Sequence, residues 1–127
     1  MSKQSVAKVI ELVGSSDSGW SEAADTAVAR QELLYPFPAE ALQETLAGYA
    51  NLKEVVWTQE EPRNMGALTF VGPRLRGVVP RRVPLSYVAR PERASPAEGK
   101  AKDHAAQQDN LVLEALGLLV ATDALEP

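Results

Sequence analysis

Hydrophobic positions change their period several times along the chain, and each change marks an element. Val6–Val13 (VAKVIELV) is β-branched and apolar, interrupted at Lys8 and Glu11, and gives way to a GSSDSG stretch at 14–19. This reads as a strand leaving into a turn. From Trp20, the apolar positions Trp20, Ala23, Ala24, Ala27 and Val28 recur at helical spacing with Asp17 or Ser18 available as cap, which predicts a helix to about Ala29. Residues 25–30 also read as extended chain, and the switch from helix to strand is placed near Arg30 to Glu32. A short strand over Glu32–Tyr35 then enters the corner Pro36-Phe37-Pro38.

Pro38 suits the first turn of a helix whose buried stripe is Leu42, Leu46 and Tyr49, ended by Gly48 to Asn51. Glu54–Thr58 (EVVWT) is short and apolar enough for an interior strand of a parallel sheet, closed by Glu60-Glu61-Pro62. Asn64 is placed to cap a helix carrying Leu68, Val71, Leu75 and Val78, which Gly72-Pro73 should kink or divide. Val83–Ala89 alternates as a further strand, with Leu85, Tyr87 and Ala89 on one face and Ser86, Val88 and Arg90 on the other. Ser95-Pro96-Ala97-Glu98 spells a capping box, opening a helix whose apolar face is Leu111, Val112, Ala115, Leu116 and Leu119. The tail from Ala121 should fray. Strands alternating with helices over short connections predict an α/β fold: two or three layers, with a small, mostly parallel sheet of three to four strands and flanking helices. So small a sheet leaves edges that pair with a partner or with further chain.

At 127 residues and 45% apolar content the chain holds one modest domain, burying about two-thirds of its unfolded surface. No cysteine and a single histidine remove thiolate zinc sites and cysteine nucleophiles, and leave little for a histidine cluster or triad. The start of the chain reads as neither signal peptide nor spanning helix, so a cytoplasmic protein without membrane contact is expected.

The net charge of −4 hides a segregation: 1–62 holds four basic against ten acidic residues, 63–102 nine against two, and 103–127 none against five. The basic middle either docks on the acidic flanks, lines a solvated face, or forms an anion site for phosphate-bearing ligands. Nucleic acid is disfavoured, because the middle offers few aromatics beyond Phe70 and Tyr87 for stacking.

Three stretches in order carry a resemblance. They are Arg30-Gln31-Glu32-Leu33-Leu34-Tyr35-Pro36-Phe37-Pro38, the run from Asn51 through Val55-Val56-Trp57 to Glu60-Glu61-Pro62-Arg63-Asn64-Met65-Gly66-Ala67, and Arg90-Pro91 through Ala94-Ser95-Pro96-Ala97 with His104, Gln107 and Leu111-Val112. Over about residues 30–117 the chain resembles the C-terminal domain of the decarboxylating component of 2-oxoglutarate dehydrogenase, a thiamine diphosphate-dependent, transketolase-like family. The resemblance implies a terminal α/β domain that packs in an oligomer against transketolase-like domains and, in some relatives, helps bind a regulatory nucleotide or acetyl-CoA. It also implies that the oxidative decarboxylation of 2-oxoglutarate and succinyl transfer to a lipoyl carrier use thiamine diphosphate and magnesium held by preceding domains, so no cofactor is expected on this chain alone.

Residues 7–29 instead resemble the opening strand, turn and helix of a dodecin, a flavin-storing protein whose later strands, with the flavin-stacking tryptophan, have no counterpart here. The expected organisation is a dodecin-like segment at 1–29, a transketolase C-terminal-like domain at 30–119 and a tail at 120–127. The alternative function is a flavin-binding storage oligomer.

No catalytic residue or metal site is assigned. Arg63, Arg74, Arg90 and Arg93 are the residues suited to a diphosphate or CoA phosphate; otherwise they are domain-interface arginines. Gly66 lies after a strand near a helix start, a place for an anion, without a glycine-rich fingerprint. Glu60 and Glu61, as neighbours in an extended segment, point to opposite faces and make poor acid–base partners. His104 reads as a surface residue and Trp57 as core, with Tyr35 and Phe37 read like Trp57. A visible absorbance scan separates the two functions: purified chain is expected to be colourless, and a yellow, flavin-loaded oligomer would favour the dodecin reading.

Overall fold

A computed structural model describes residues 28–31 and 33–117. The elements are α1 (Ala39–Ala47), β1 (Val55–Pro62), α2 (Leu68–Val78), β2 (Leu85–Arg90) and α3 (Ala101–Ala115). β1 and β2 run parallel, Val55 opposite Leu85 through Thr58 opposite Val88, with α2 as the crossover. Among the described residues the sheet has these two strands. The expected strand at Val6–Val13, the turn at 14–19 and nearly all of the helix from Trp20 lie outside the described residues, as do Leu119 and the tail.

Strand alternation builds three layers. Val55 and Trp57, with Leu85 and Tyr87, face α1 and α2, packing with Leu42, Leu46, Val71, Leu75 and Val78. Val56 and Val88 face the other way, onto Leu111 and Ala115 of α3. The alternation expected of Leu85–Arg90 is therefore realised, and the parallel interior character of the Val55–Trp57 run is real.

Several boundaries differ, each for a local reason. Val28 and Ala29 are not helical, so the first helix does not reach Ala29. The strand expected at Glu32–Tyr35 does not form over its described residues: Gln31 Nε2 donates to Leu33 O, a local bond that competes with strand pairing, and the chain bends at Tyr35 and Pro36, joined by a cis peptide. α1 stops at Ala47 with Gly48 as its cap, so Tyr49 falls beyond the stripe and is 39% exposed. β1 continues past Thr58 to Pro62, through the Glu60-Glu61 pair expected to close it.

Asn64 does not cap α2, which starts at Leu68 without a side-chain cap, because its amide bonds the Arg93 main chain in both directions (Nδ2 to O 2.8 Å; Arg93 N–H to Oδ1 3.1 Å). Gly72-Pro73 does not divide α2. Gly72 is buried instead where a Cβ would meet the Tyr87 ring at 3.5 to 3.7 Å, so a small residue brings helix and strand together. The capping box fails too: Glu98 pairs with Arg93, Ser95 Oγ donates to Ala97 O, and α3 begins later, at Ala101.

Leu75 is among the most deeply buried side chains of the α1/α2 layer. Leu75→Ala is expected to cost about 2–5 kcal/mol in urea unfolding, while Leu113→Ala on the exposed side of α3 should cost less than about 1 kcal/mol.

Candidate functional site

The carboxyl ends of two parallel strands form the edge where α/β sheets gather ligands, and here that edge is rich in arginine. Its geometry follows from a break in the ladder. Thr58 pairs with Val88 and Pro62 with Arg90, so three residues of β1 stand opposite Ala89 alone. Carbonyls in such a bulge lose regular strand partners and need others.

Side chains supply them. Arg90, 4% exposed, donates from Nε to Glu60 O at 2.7 Å, and its two terminal nitrogens reach Gln107 Oε1 (3.2 Å) and Gln108 Oε1 (2.6 Å) on α3. Gln108 Nε2 then donates to Glu60 Oε1 at 2.9 Å. Gln59, also buried, gives its amide to the carbonyls of Glu61, Pro62 and Met65 and accepts from Trp57 Nε1. The turn after β1 closes on Gly66 at φ +65, where a Cβ would lie 3.0 Å from Glu61 Cβ. Gly66 therefore serves the turn.

Of the four arginines read as anion candidates, three meet at this edge. Arg63 lies exposed beyond β1, its main-chain N–H on Arg90 O (2.9 Å) and its Nη2 on Tyr87 O (3.0 Å). Arg93 is tied through Asn64 and pairs with Glu98. Arg90 is consumed by the bulge. Arg74 belongs elsewhere: it stacks 3.6 Å over the Phe70 ring and donates to Phe70 O within α2. Within the basic middle, Arg63, Arg74 and Arg90 thus spend their guanidinium groups on carbonyl and amide oxygens, with Arg93–Glu98 an ion pair inside the basic segment itself.

Glu60 holds Gln108, whereas Glu61 is exposed beside Gly66, so they do not form an acid–base pair. His104 is partly buried on α3, and its Nδ1 has no partner among the described residues. Trp57 is core, Phe37 packs on the α1/α2 layer, and Tyr35, 80% exposed, is not core. Sequence reasoning gave no structural role to Gln59 and Gln108, and quoted Gln107 only as part of the resemblance; an uncharged glutamine in a strand or a polar helical run does not announce its role until the bulge is known. A groove of about 470 Å³ adjoins the edge, with Arg30, Gln31, Leu34, Trp57, Gln59 and Val112 in its wall. Among the described residues, no three His, Cys, Asp or Glu side chains group to hold a metal ion, and no helix is long and apolar enough to cross a membrane.

A parallel α/β layer whose strand ends are secured by arginine and glutamine defines the class. Residues 9–116 match the 2-oxoglutarate dehydrogenase C-terminal family, and the chain belongs to it. It is 47% identical over 106 residues to the 2-oxoglutarate dehydrogenase E1 component of Shouchella clausii, covering 84% of this chain and 11% of that protein. The E1 components of Geobacillus kaustophilus and Bacillus subtilis are 49% and 46% identical over 89 residues, each covering 70% of this chain and 9% of the relative. The chain thus spans about a tenth of the length of these relatives. The family match begins at residue 9, so most of the dodecin-like stretch lies inside it, and none of these comparisons supports the dodecin alternative.

Arg90→Ala is expected to lose about 2–4 kcal/mol in denaturant unfolding, since it strands Glu60 O and both glutamines. Arg90→Lys should recover little, because an ammonium lacks the planar fork. Gly66→Ala should cost about 1–2 kcal/mol by the same measurement, through its positive φ.

Proposed function

We propose that this chain is the terminal α/β layer of a 2-oxoglutarate-decarboxylating component, working in the cytoplasm by packing against the transketolase-like domains of that enzyme in a homo-oligomer. The observation that carries the reading is the 43–49% identity to a segment about a tenth as long as the relatives. Oxidative decarboxylation and succinyl transfer belong, on this reading, to the assembled enzyme. The described residues do not fit thiamine diphosphate and magnesium: they group no three acidic or imidazole ligands for the ion, and the arginines nearest the strand ends are held by protein oxygens.

A second role rests on the exposed guanidinium of Arg63 beside Arg93 and Asn64 at the strand ends. These two arginines have surface to offer a phosphate-bearing effector such as a nucleotide or CoA, whereas Arg90 acts from within.

Two experiments test these readings. The purified chain with 2-oxoglutarate, thiamine diphosphate, magnesium and an artificial electron acceptor should give no turnover, and co-expression with a Bacillus subtilis E1 component lacking the matching segment should restore assembly and activity. Turnover by the chain alone, or failure to assemble, would overturn the packing role. Calorimetric titration with CoA should show heat that Arg63→Ala with Arg93→Ala abolishes and Arg74→Ala leaves; heat unchanged by the double variant removes the effector role.

A further inference from the structure

Arg93 is fixed through its main chain and covered through its side chain. Asn64 holds the backbone, donating from Nδ2 to Arg93 O at 2.8 Å and accepting the Arg93 N–H on Oδ1 at 3.1 Å, so Arg93 is pinned to the turn that carries the exposed Arg63. Its guanidinium pairs with Glu98, whose carboxylate makes no other bond among the described residues. Glu98 caps no helix, since α3 starts at Ala101 without a side-chain cap. The pair is only partly covered: the Arg93 side chain is 32% exposed and that of Glu98 18%. A carboxylate that covers an arginine and does nothing else withholds that arginine from other anions.

The loop lets this contact open. Residues 91–100 belong to no strand or helix, Ala97 and Gly99 on either side of Glu98 are exposed, and a Cβ at Gly99 would meet nothing within 4 Å. Turning Glu98 outward therefore costs one partly exposed ion pair, and such pairs hold weakly in water. A phosphate monoester brings up to about two negative charges and three acceptor oxygens to a guanidinium fork, which favours it over a single carboxylate in the exchange. We propose that Glu98 stands in for the phosphate of an effector, keeping Arg93 closed until a phosphate-bearing ligand displaces it. This rests on the effector role given above to Arg63 and Arg93, and adds to it a competitor built into the same loop.

Calorimetric titration of the full chain with CoA tests this. Glu98→Gln should bind CoA about fivefold more tightly than the parent, because no ion pair is broken on binding. Glu92→Gln removes the same charge beside Arg93, at an exposed side chain with no partner among the described residues, and should change the affinity less than about twofold. In an Arg93→Ala background, Glu98→Gln should restore no affinity. Equal affinity of Glu98→Gln and the parent, an equal gain from Glu92→Gln, or a gain that survives Arg93→Ala overturns the closure and leaves the effector role standing. CoA heat absent from the parent and Glu98→Gln alike overturns both. Heat absent from the parent and present in Glu98→Gln supports closure at its most complete.

Discussion

The arrangement depends on one guanidinium. Arg90 ends β2, lies almost wholly buried, and divides its donors between the bulge of β1 and two glutamines of α3. Without it the bulged carbonyl of Glu60 has no ladder partner, and the polar attachment of α3 to the sheet is reduced to the Gln108–Glu60 side-chain bond. A planar fork with fixed donor directions suits this role because the three acceptors lie on two elements and must be held in one geometry. The apolar contacts of Leu111 and Ala115 with Val56 and Val88 give α3 its burial, and Arg90 fixes where along the strands that helix sits.

Around this anchor the strand ends are stitched by side chains where regular pairing fails. Gln59 serves the carbonyls at the close of β1, Arg63 reaches Tyr87 O, and Asn64 joins the turn after β1 to the loop after β2. α2 and α3 start without the expected side-chain caps: Asn64 is engaged across the strand ends with Arg93, while the capping-box residues Ser95 and Glu98 bond Ala97 and Arg93 within their own loop. The capping signal lost to a distant partner at Asn64 and to loop neighbours at Ser95 and Glu98.

What was legible in the sequence was what depends on period. The apolar runs of β1 and β2, the Leu42/Leu46 stripe and the Leu68–Val78 stripe all fall on the faces the pattern assigns them, and the family's motifs stood in order. What was not legible depends on partners distant in sequence. Pro73 sits inside a continuous helix because α2 is packed against β2, with Gly72 on the Tyr87 ring. Among the arginines, charge alone could not separate Arg90, which is structural, from Arg63, which is exposed, since their difference arises from a bulge that no spacing announces.

The acceptors chosen by these arginines have a further consequence. Arg63, Arg74 and Arg90 all bond uncharged oxygens of the main chain, and Arg90 adds two glutamine amides. Dissolved electrolyte weakens attraction between opposite charges far more than it weakens a buried donor's hold on a carbonyl dipole. The hold of buried Arg90 on the strand ends is accordingly less sensitive to ionic strength than the Arg93–Glu98 ion pair beside it.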